Sequence, residues 1–387
     1  MKLNKKKLTS LIAAIFVCTS ALSAFEWGGV EKTTSEILFP QFNNFGFSQT
    51  ASSFLWLNSP IGNSENNLYF SSELMYKFSL YASGDDKSVS NILDIDLLKL
   101  SKETEFENTN TLSFAAGRFS VADSTSVIFN QVFDGALLKY QNNMFIVSGF
   151  AGYTGLLNSQ NISMLGGDGS IFASEKAVYS LANPYVVIDG NLTFPSLWGN
   201  QTMGLQANGF VDLGKDKASR YYATFLMSGP ITNSLFYNAT TTFGSKNFNN
   251  LMNYSNLSLY YYPLDMFFLS SGIEYASGKN GGLSPFVGIT SRTIVSSVSA
   301  PETTSAILPN LSVNIVLNQL FASLSGKILV AMPDSSAKVN GVESDMSISY
   351  NIFSDFQIGL DVTAYFDVTS AKTDNNFTAT FKAAVSF

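Results

Sequence analysis

The chain closes on Phe377-Thr378-Ala379-Thr380-Phe381-Lys382-Ala383-Ala384-Val385-Ser386-Phe387. Odd positions carry Phe377, Ala379, Phe381, Ala383, Val385 and Phe387, while Thr378, Thr380, Lys382 and Ser386 fall between them. Side chains alternate across a β-strand with period two, so the segment has one apolar and one polar face. Eleven residues match a tilted strand crossing a bilayer, which needs about 9–11. The preceding segment repeats the pattern, with Phe356, Ile358, Leu360, Val362, Ala364, Phe366 and Val368 opposed by Gln357, Gly359, Asp361, Thr363, Tyr365 and Asp367.

Working upstream, the same alternation marks Met346–Ile352, Ala322–Val330, Leu311–Leu317 and Leu68–Leu80. It is also readable near Ile92–Leu100, Thr109–Phe119, Phe133–Tyr140, Met144–Tyr153, Tyr185–Phe194, Thr202–Leu213, Arg220–Met227, Leu235–Phe243, Leu251–Tyr262 and Met266–Tyr275, and weakly at Pro285–Ile294. Leu97-Leu98 breaks phase, as a β-bulge does. Short turns (Gln141-Asn142-Asn143, Ser228-Gly229-Pro230, Pro263-Leu264-Asp265, Asn318-Gln319) are interleaved with longer connections such as Ser120–Val132, Thr154–Ala177, Val295–Leu308 and Pro333–Glu343. The predicted fold is all-β: one closed antiparallel transmembrane barrel of about 16–18 strands, with short turns at one end and longer loops at the other. Counting back from Phe387 puts Asn318-Gln319 at the short-turn end, but it also puts Thr154–Ala177 there, which points to a miscount between Leu283 and Leu308.

Composition agrees with a membrane barrel. Hydrophobic residues make up 45% of the 387 and aromatics 14%, whereas charged residues make up only 13%, against about 25% in soluble domains. A soluble β-sandwich would use shorter strands and a more charged exterior. Beyond the N-terminus no segment is long and apolar enough for a membrane helix. The start, Met1-Lys2-Leu3-Asn4-Lys5-Lys6-Lys7, leads into an apolar stretch and small residues at Ala21, Ser23 and Ala24, the anatomy of a cleaved secretory signal peptide over 1–24. Residues 25–49 read as a lead-in or a first strand, and 50–387 as the barrel. Cys18, the single cysteine, lies inside the signal segment. Cleavage removes four lysines and deepens the formal charge from −7 to −11. An acidic chain without basic clusters is a poor partner for nucleic acid.

The last strand resembles the closing strand of Gram-negative outer-membrane barrel proteins, which end in phenylalanine with hydrophobic residues at every second position before it. Here Phe377, Phe381, Val385 and Phe387 hold that series. The resemblance implies residence in the bacterial outer membrane, contact with outer-membrane lipid and recognition of this segment by the barrel-assembly machinery. Gly117-Arg118-Phe119 through Phe133-Asp134-Gly135 is loosely similar to a strand–loop–strand stretch of substrate-selective porins and alginate-export-type barrels. Trimers are common in porin families, but no residue here reads as a trimer mark.

Porin-like barrels of this size leave an aqueous channel. The polar faces of the strands then line the lumen, and the candidate lining residues are Glu73, Lys77, Asp94, Asp96, Lys139, Asp189, Asp212, Glu274, Lys327, Asp361 and Lys382. Acids outnumber bases among them, which predicts mild cation preference. The stretch Leu165-Gly166-Gly167-Asp168-Gly169 within Thr154–Ala177 is a candidate constriction loop, with an ordinary surface loop as the alternative. Tyr260-Tyr261-Tyr262, Tyr221-Tyr222, Trp198 and Trp56 lie near strand ends, where interfacial girdles form. The chain has no histidine. That removes the common triads and histidine metal sites, and loss of Cys18 removes thiol chemistry, so no enzyme, no cofactor and no metal are expected. The leading expectation is a channel for passive diffusion of small hydrophilic solutes. Alternatives are a specific transporter for hydrophobic or saccharide substrates, with 25–49 as a plug, and a surface-exposed structural or adhesin barrel.

Overall fold

The computed structural model describes residues 25–40, 45–62, 67–106, 110–162, 178–214, 219–278, 283–290, 306–332, 337–369 and 375–387. The signal segment 1–24 and the candidate constriction residues 165–169 lie outside the described residues.

Eighteen antiparallel strands form one sheet that closes on itself. They are β1 (Glu26–Pro40), β2 (Gly46–Pro60), β3 (Leu68–Ser83), β4 (Asp86–Glu105), β5 (Thr111–Ala122), β6 (Asn130–Gln141), β7 (Ile146–Tyr153), β8 (Tyr185–Phe194), β9 (Thr202–Asp212), β10 (Arg220–Pro230), β11 (Leu235–Lys246), β12 (Asn250–Leu264), β13 (Phe267–Ala276), β14 (Ala306–Leu317), β15 (Leu320–Ala331), β16 (Lys338–Asn351), β17 (Phe356–Asp367) and β18 (Asn376–Ser386). Each strand pairs with its sequence neighbours, and β1 joins β18 from Val30↔Ser386 to Pro40↔Asn376. Closure joins the first and last strands, so most backbone hydrogen bonds are met without water, as lipid requires; Asp86–Leu97 of β4 pair with a strand on the β3 side alone. Residues 26–40, which the sequence left between a lead-in and a strand, are thus a wall strand rather than a plug.

Strands end where turn chemistry dictates. Asn318 takes φ 49° in the two-residue β14–β15 turn. Asn142 Oδ1 accepts from the N–H groups of Met144 and Phe145, both at 2.8 Å, and closes the β6–β7 turn. The phase break in β4 is a bulge: Leu74 pairs with Ile95 and Glu73 with Leu97, leaving Asp96 extra. Ile95 and Leu98 are therefore both exposed while Leu97 turns inward to pack on the interior cluster. Gly117 answers on β5 with φ 119°, and a Cβ there would stand 2.0 Å from the Leu98 carbonyl oxygen.

Of Pro285–Ile294, expected as a weak strand, the described part, 285–290, forms no strand. Described residues 283–290 are irregular and enter the barrel, because Phe286 and Ile289 find buried apolar partners on the inner wall. Without that strand the polarity is consistent. The 195–201, 231–234, 265–266, 318–319 and 352–355 turns share the end that holds Phe387. The β5–β6, β7–β8 and β13–β14 connections leave their strands at the opposite end.

Candidate functional site

The interior is not uniformly polar. Inner-face residues Phe119, Phe133, Phe150, Tyr185, Val187, Phe210, Tyr222, Met252 and Tyr254, from β5 through β12, form one buried cluster. Two connections from the long-loop end fold inward onto it. The β5–β6 loop supplies Val127, Ile128 and Phe129, and the β13–β14 connection supplies Phe286 and Ile289. The Phe129 ring meets Phe133 at 5.7 Å and Phe210 at 5.9 Å; Phe286 meets Tyr254 at 5.5 Å and Tyr222 at 6.2 Å. These are the separations of packed aromatic pairs.

Hydrogen bonds hold both loops in place. Asp123 at the end of β5 folds the first: its Oδ1 accepts from the N–H groups of Ile128 (3.0 Å) and Phe129 (2.9 Å), and its Oδ2 from Thr125 N–H at 2.8 Å. Ser124 N–H then donates to Gln206 Oε1 on β9 across the interior, 2.8 Å. The second loop is tied to the first by Ile289 N–H to the Ile128 carbonyl, 2.7 Å. It is tied to the wall by Tyr222 Oη to the Val287 carbonyl, 2.6 Å, and Arg220 Nη1 to the Gly288 carbonyl, 2.5 Å. Arg220 is wholly buried. Narrowing of the interior is thus built from loops 123–129 and 283–290. Sequence reading missed both. The one available signal was an apolar run, Val127-Ile128-Phe129, inside a loop where polar residues are the norm.

The polar candidates lie on strand faces opposite the exposed apolar series. Asp94 and Asp96 of β4 both accept from Asn161 Nδ2, at 3.0 and 2.7 Å. Asp189 accepts from Gln206 Nε2 at 2.7 Å and from Asn208 Nδ2. Asp212 is buried and accepts from Gly214 N–H at 2.7 Å; Glu274 accepts from Tyr254 Oη at 2.9 Å. Lys327 bridges Glu343 (2.7 Å) and Asp345 (2.9 Å), and Lys382 pairs with Asp361. Glu73 and Lys77 share the inner face of β3 with buried Met75. Lys139 joins Lys99, Glu103, Ser113 and Tyr69 around a cavity of about 490 Å³ nearer the Phe387 end. The eleven candidates are therefore spread around the wall rather than gathered at one point.

Arg118 and Asp134 pair bidentately across β5 and β6, at 2.7 and 2.9 Å. They stand where β4–β5 pairing ends at Leu98↔Arg118. Above that point Arg118 also reaches Asp94 (3.4 Å) and the carbonyls of Ile95 and Leu156. The β7–β8 connection seals the split through Leu93 N–H to the Val178 carbonyl, 3.5 Å.

Two aromatic expectations are corrected. Tyr222 is buried and anchors the second loop, and Trp56 sits on the inner face beside Gly28, so neither belongs to an outer girdle. Tyr261, Tyr262 and Trp198 are exposed. At the chain end, Phe381, Val385 and Phe387 are exposed, Phe377 packs on Phe39 with rings 6.0 Å apart, and Phe387 exchanges backbone hydrogen bonds with Gly29.

No protein-family model matches the sequence, and no curated protein is similar to it in sequence. Its structure matches OccK5 (OpdH) of Pseudomonas aeruginosa with a TM-score of 0.61 at 12% identity, over 94% of this chain and 98% of that one. The fold is that of a porin-like outer-membrane barrel. OccAB4 of Acinetobacter baumannii matches at 0.61 and 10% identity, over 95% and 98%. A structure of Pseudomonas aeruginosa OpdK with vanillate matches at 0.60 and 9% identity, over 94% and 98%.

Proposed function

We propose that this chain is an outer-membrane channel that passes small hydrophilic solutes through a barrel narrowed by two of its own outer loops. The observation that carries the reading is the seating of 123–129 and 283–290 on the inner wall, joined by Ile289 N–H to the Ile128 carbonyl. In this reading Phe387 marks the periplasmic rim and the inward loops come from outside. A wall bearing charged and hydrogen-bonded side chains holds water, and loops that narrow it set a size limit. The same fold in OpdK, OccK5 and OccAB4 supports a channel, and the inward loops favour a selective one over a wide pore.

The candidate lining residues carry seven acids and four bases, so the channel prefers cations mildly. Three of the four bases stand at ion pairs or cavities already shared with carboxylates: Lys327, Lys382 and Lys139. In a planar bilayer under a potassium chloride gradient, the reversal potential is expected to have the sign of cation preference. Anion preference would overturn that assignment. Liposomes carrying the protein are expected to swell in small sugars; swelling no faster than empty liposomes would favour a blocked structural barrel.

A further inference from the structure

The exposed side of the barrel carries a polar stretch over β1 and β2 that does not suit lipid. Register places Trp27, Gly29, Glu31, Thr33, Ser35, Ile37 and Phe39 of β1 on the same side as Phe377, Phe381 and Val385 of β18. On β2 the matching residues are Leu57, Leu55, Ser53, Ala51, Gln49 and Phe47, which lead on to Leu74, Tyr76, Phe78 and Leu80 of β3. The middle of this panel is polar: Glu31 faces Ser53, Thr33 faces Ala51, and Ser35 faces Gln49. Apolar pairs lie on both sides along the strands, Trp27 with Leu57 below and Ile37 with Phe47 above. Apolar strands flank it left and right. Trp27 and Leu55 are 65% and 53% exposed, so this is the outer surface and not the packed interior. The opposite face of β1 points inward, in register with Lys382 through Thr34.

Some of the island's hydrogen bonds are met within it. Ser53 Oγ donates to Glu31 Oε2 at 2.7 Å, Ser35 Oγ to Gln49 Oε1 at 2.5 Å, and Gln49 Nε2 to Thr33 Oγ1 at 2.6 Å. The Glu31 carboxylate nonetheless faces outward and exposed. Hydrocarbon offers no water to satisfy it, so a charged side chain on this face is costly.

We propose that this island docks a second copy of the same chain, related by a two-fold axis along the membrane normal. With that axis between β1 and β2, each β1 lies opposite the other copy's β2, because a two-fold contact is isologous. Residues at matched depth then meet. Glu31 of one copy faces the partner subunit's Ser53, and Ser35 faces the partner subunit's Gln49. These are the acceptor–donor pairs that already bond within one chain, so the island is complementary to itself. The small Ala51 lets the walls approach, and Trp27, Leu55 and Phe381, with the Phe387 ring that covers Gly29, form an apolar rim. The proposal rests on placement of this panel in a bilayer and not on what the channel carries.

Single-cysteine variants in the Cys18→Ser background test it, treated in intact membranes with a short bis-maleimide. Thr33→Cys is expected to give a two-chain band, and Leu324→Cys, exposed on β15, none above background. Ala51→Cys is expected to give the same band, and adding Glu31→Leu and Gln49→Leu to it should abolish the band. Retained heat-modifiable gel mobility would show that this last barrel still folds. No band from Thr33→Cys, a band equal to that of Leu324→Cys, or a band joining this chain to a different protein would overturn the proposal. Conductance of the same preparation tests transport separately: a conducting preparation with no two-chain band from Thr33→Cys sinks the dimer and leaves the channel standing, whereas a two-chain band without conductance does the reverse.

Discussion

Replacing Phe286, Val287 and Ile289 together with serine is expected to raise single-channel conductance roughly twofold or more, since a hydrophobic constriction limits flow by excluding water. The loop is held by apolar anchors and by hydrogen bonds to its backbone, among them Ser284 N–H to the Leu251 carbonyl (2.7 Å) and Phe286 N–H to the Ser277 carbonyl (3.0 Å). Phe286 packs between Tyr222 and Tyr254, Ile289 is fully buried, and the carbonyls of Val287 and Gly288 accept from Tyr222 and Arg220. The backbone bonds alone do not hold the segment once its apolar anchors prefer water, because irregular backbone exchanges protein partners for solvent at little net cost. The loop then swings toward the outer mouth and leaves Ile128 without its Ile289 partner. Planar-bilayer recording of wild type and variant under one salt condition reads the change directly. Equal conductances would show that ions pass elsewhere and that these residues only brace the wall.

Phe133→Ala has the largest expected effect on stability, a loss of about 3–5 kcal/mol, as for other buried phenylalanines. Phe133 is fully buried on β6 and contacts Phe129, Phe150 and Phe210 within 6.5 Å, so one truncation opens a cavity shared by two strands and a loop. The surroundings collapse poorly, because β5, β6 and β7 are fixed by their ladders. Folded fraction against guanidinium in lipid vesicles, followed by heat-modifiable gel mobility, measures the shift. A loss under about 1 kcal/mol would mean that water already fills this region, against the packing described.

The fold was legible in the sequence because one physical rule recurs along nearly the whole chain. Leu324 and Ile328 must meet something other than what Ser325 and Lys327 meet, and a closed sheet between lipid and water satisfies both. The phase slip at Leu97-Leu98 was readable for the same reason, since an extra residue in a period-two strand flips every side chain after it. Alternation does not reveal what loops do. The segment 283–290 has glycine, proline and scattered apolar residues, and its partners Tyr222, Met252 and Tyr254 lie 30 or more residues away in sequence. Only the closed barrel brings them together. The same rule, applied too evenly, made every inner face polar. It misassigned Tyr222 and Trp56 to the outside because aromatics at strand ends also suit an interface. Register was equally beyond reach: Glu31 reads as an ordinary alternating position until pairing with β18 places it beside Val385 on the exposed side.

The central claim is that alternate side chains face hydrocarbon and water. A nitroxide scan of β15, from Phe321 to Val330 in lipid vesicles, tests it most directly by comparing collisions with oxygen, which concentrates in the bilayer, and with a water-soluble nickel chelate. The account predicts a strict period of two, with oxygen favoured at Ala322, Leu324, Gly326 and Ile328 and nickel at Ser323, Ser325 and Lys327. Uniform accessibility along the strand, or oxygen favoured at Ser325 and Lys327, would contradict it.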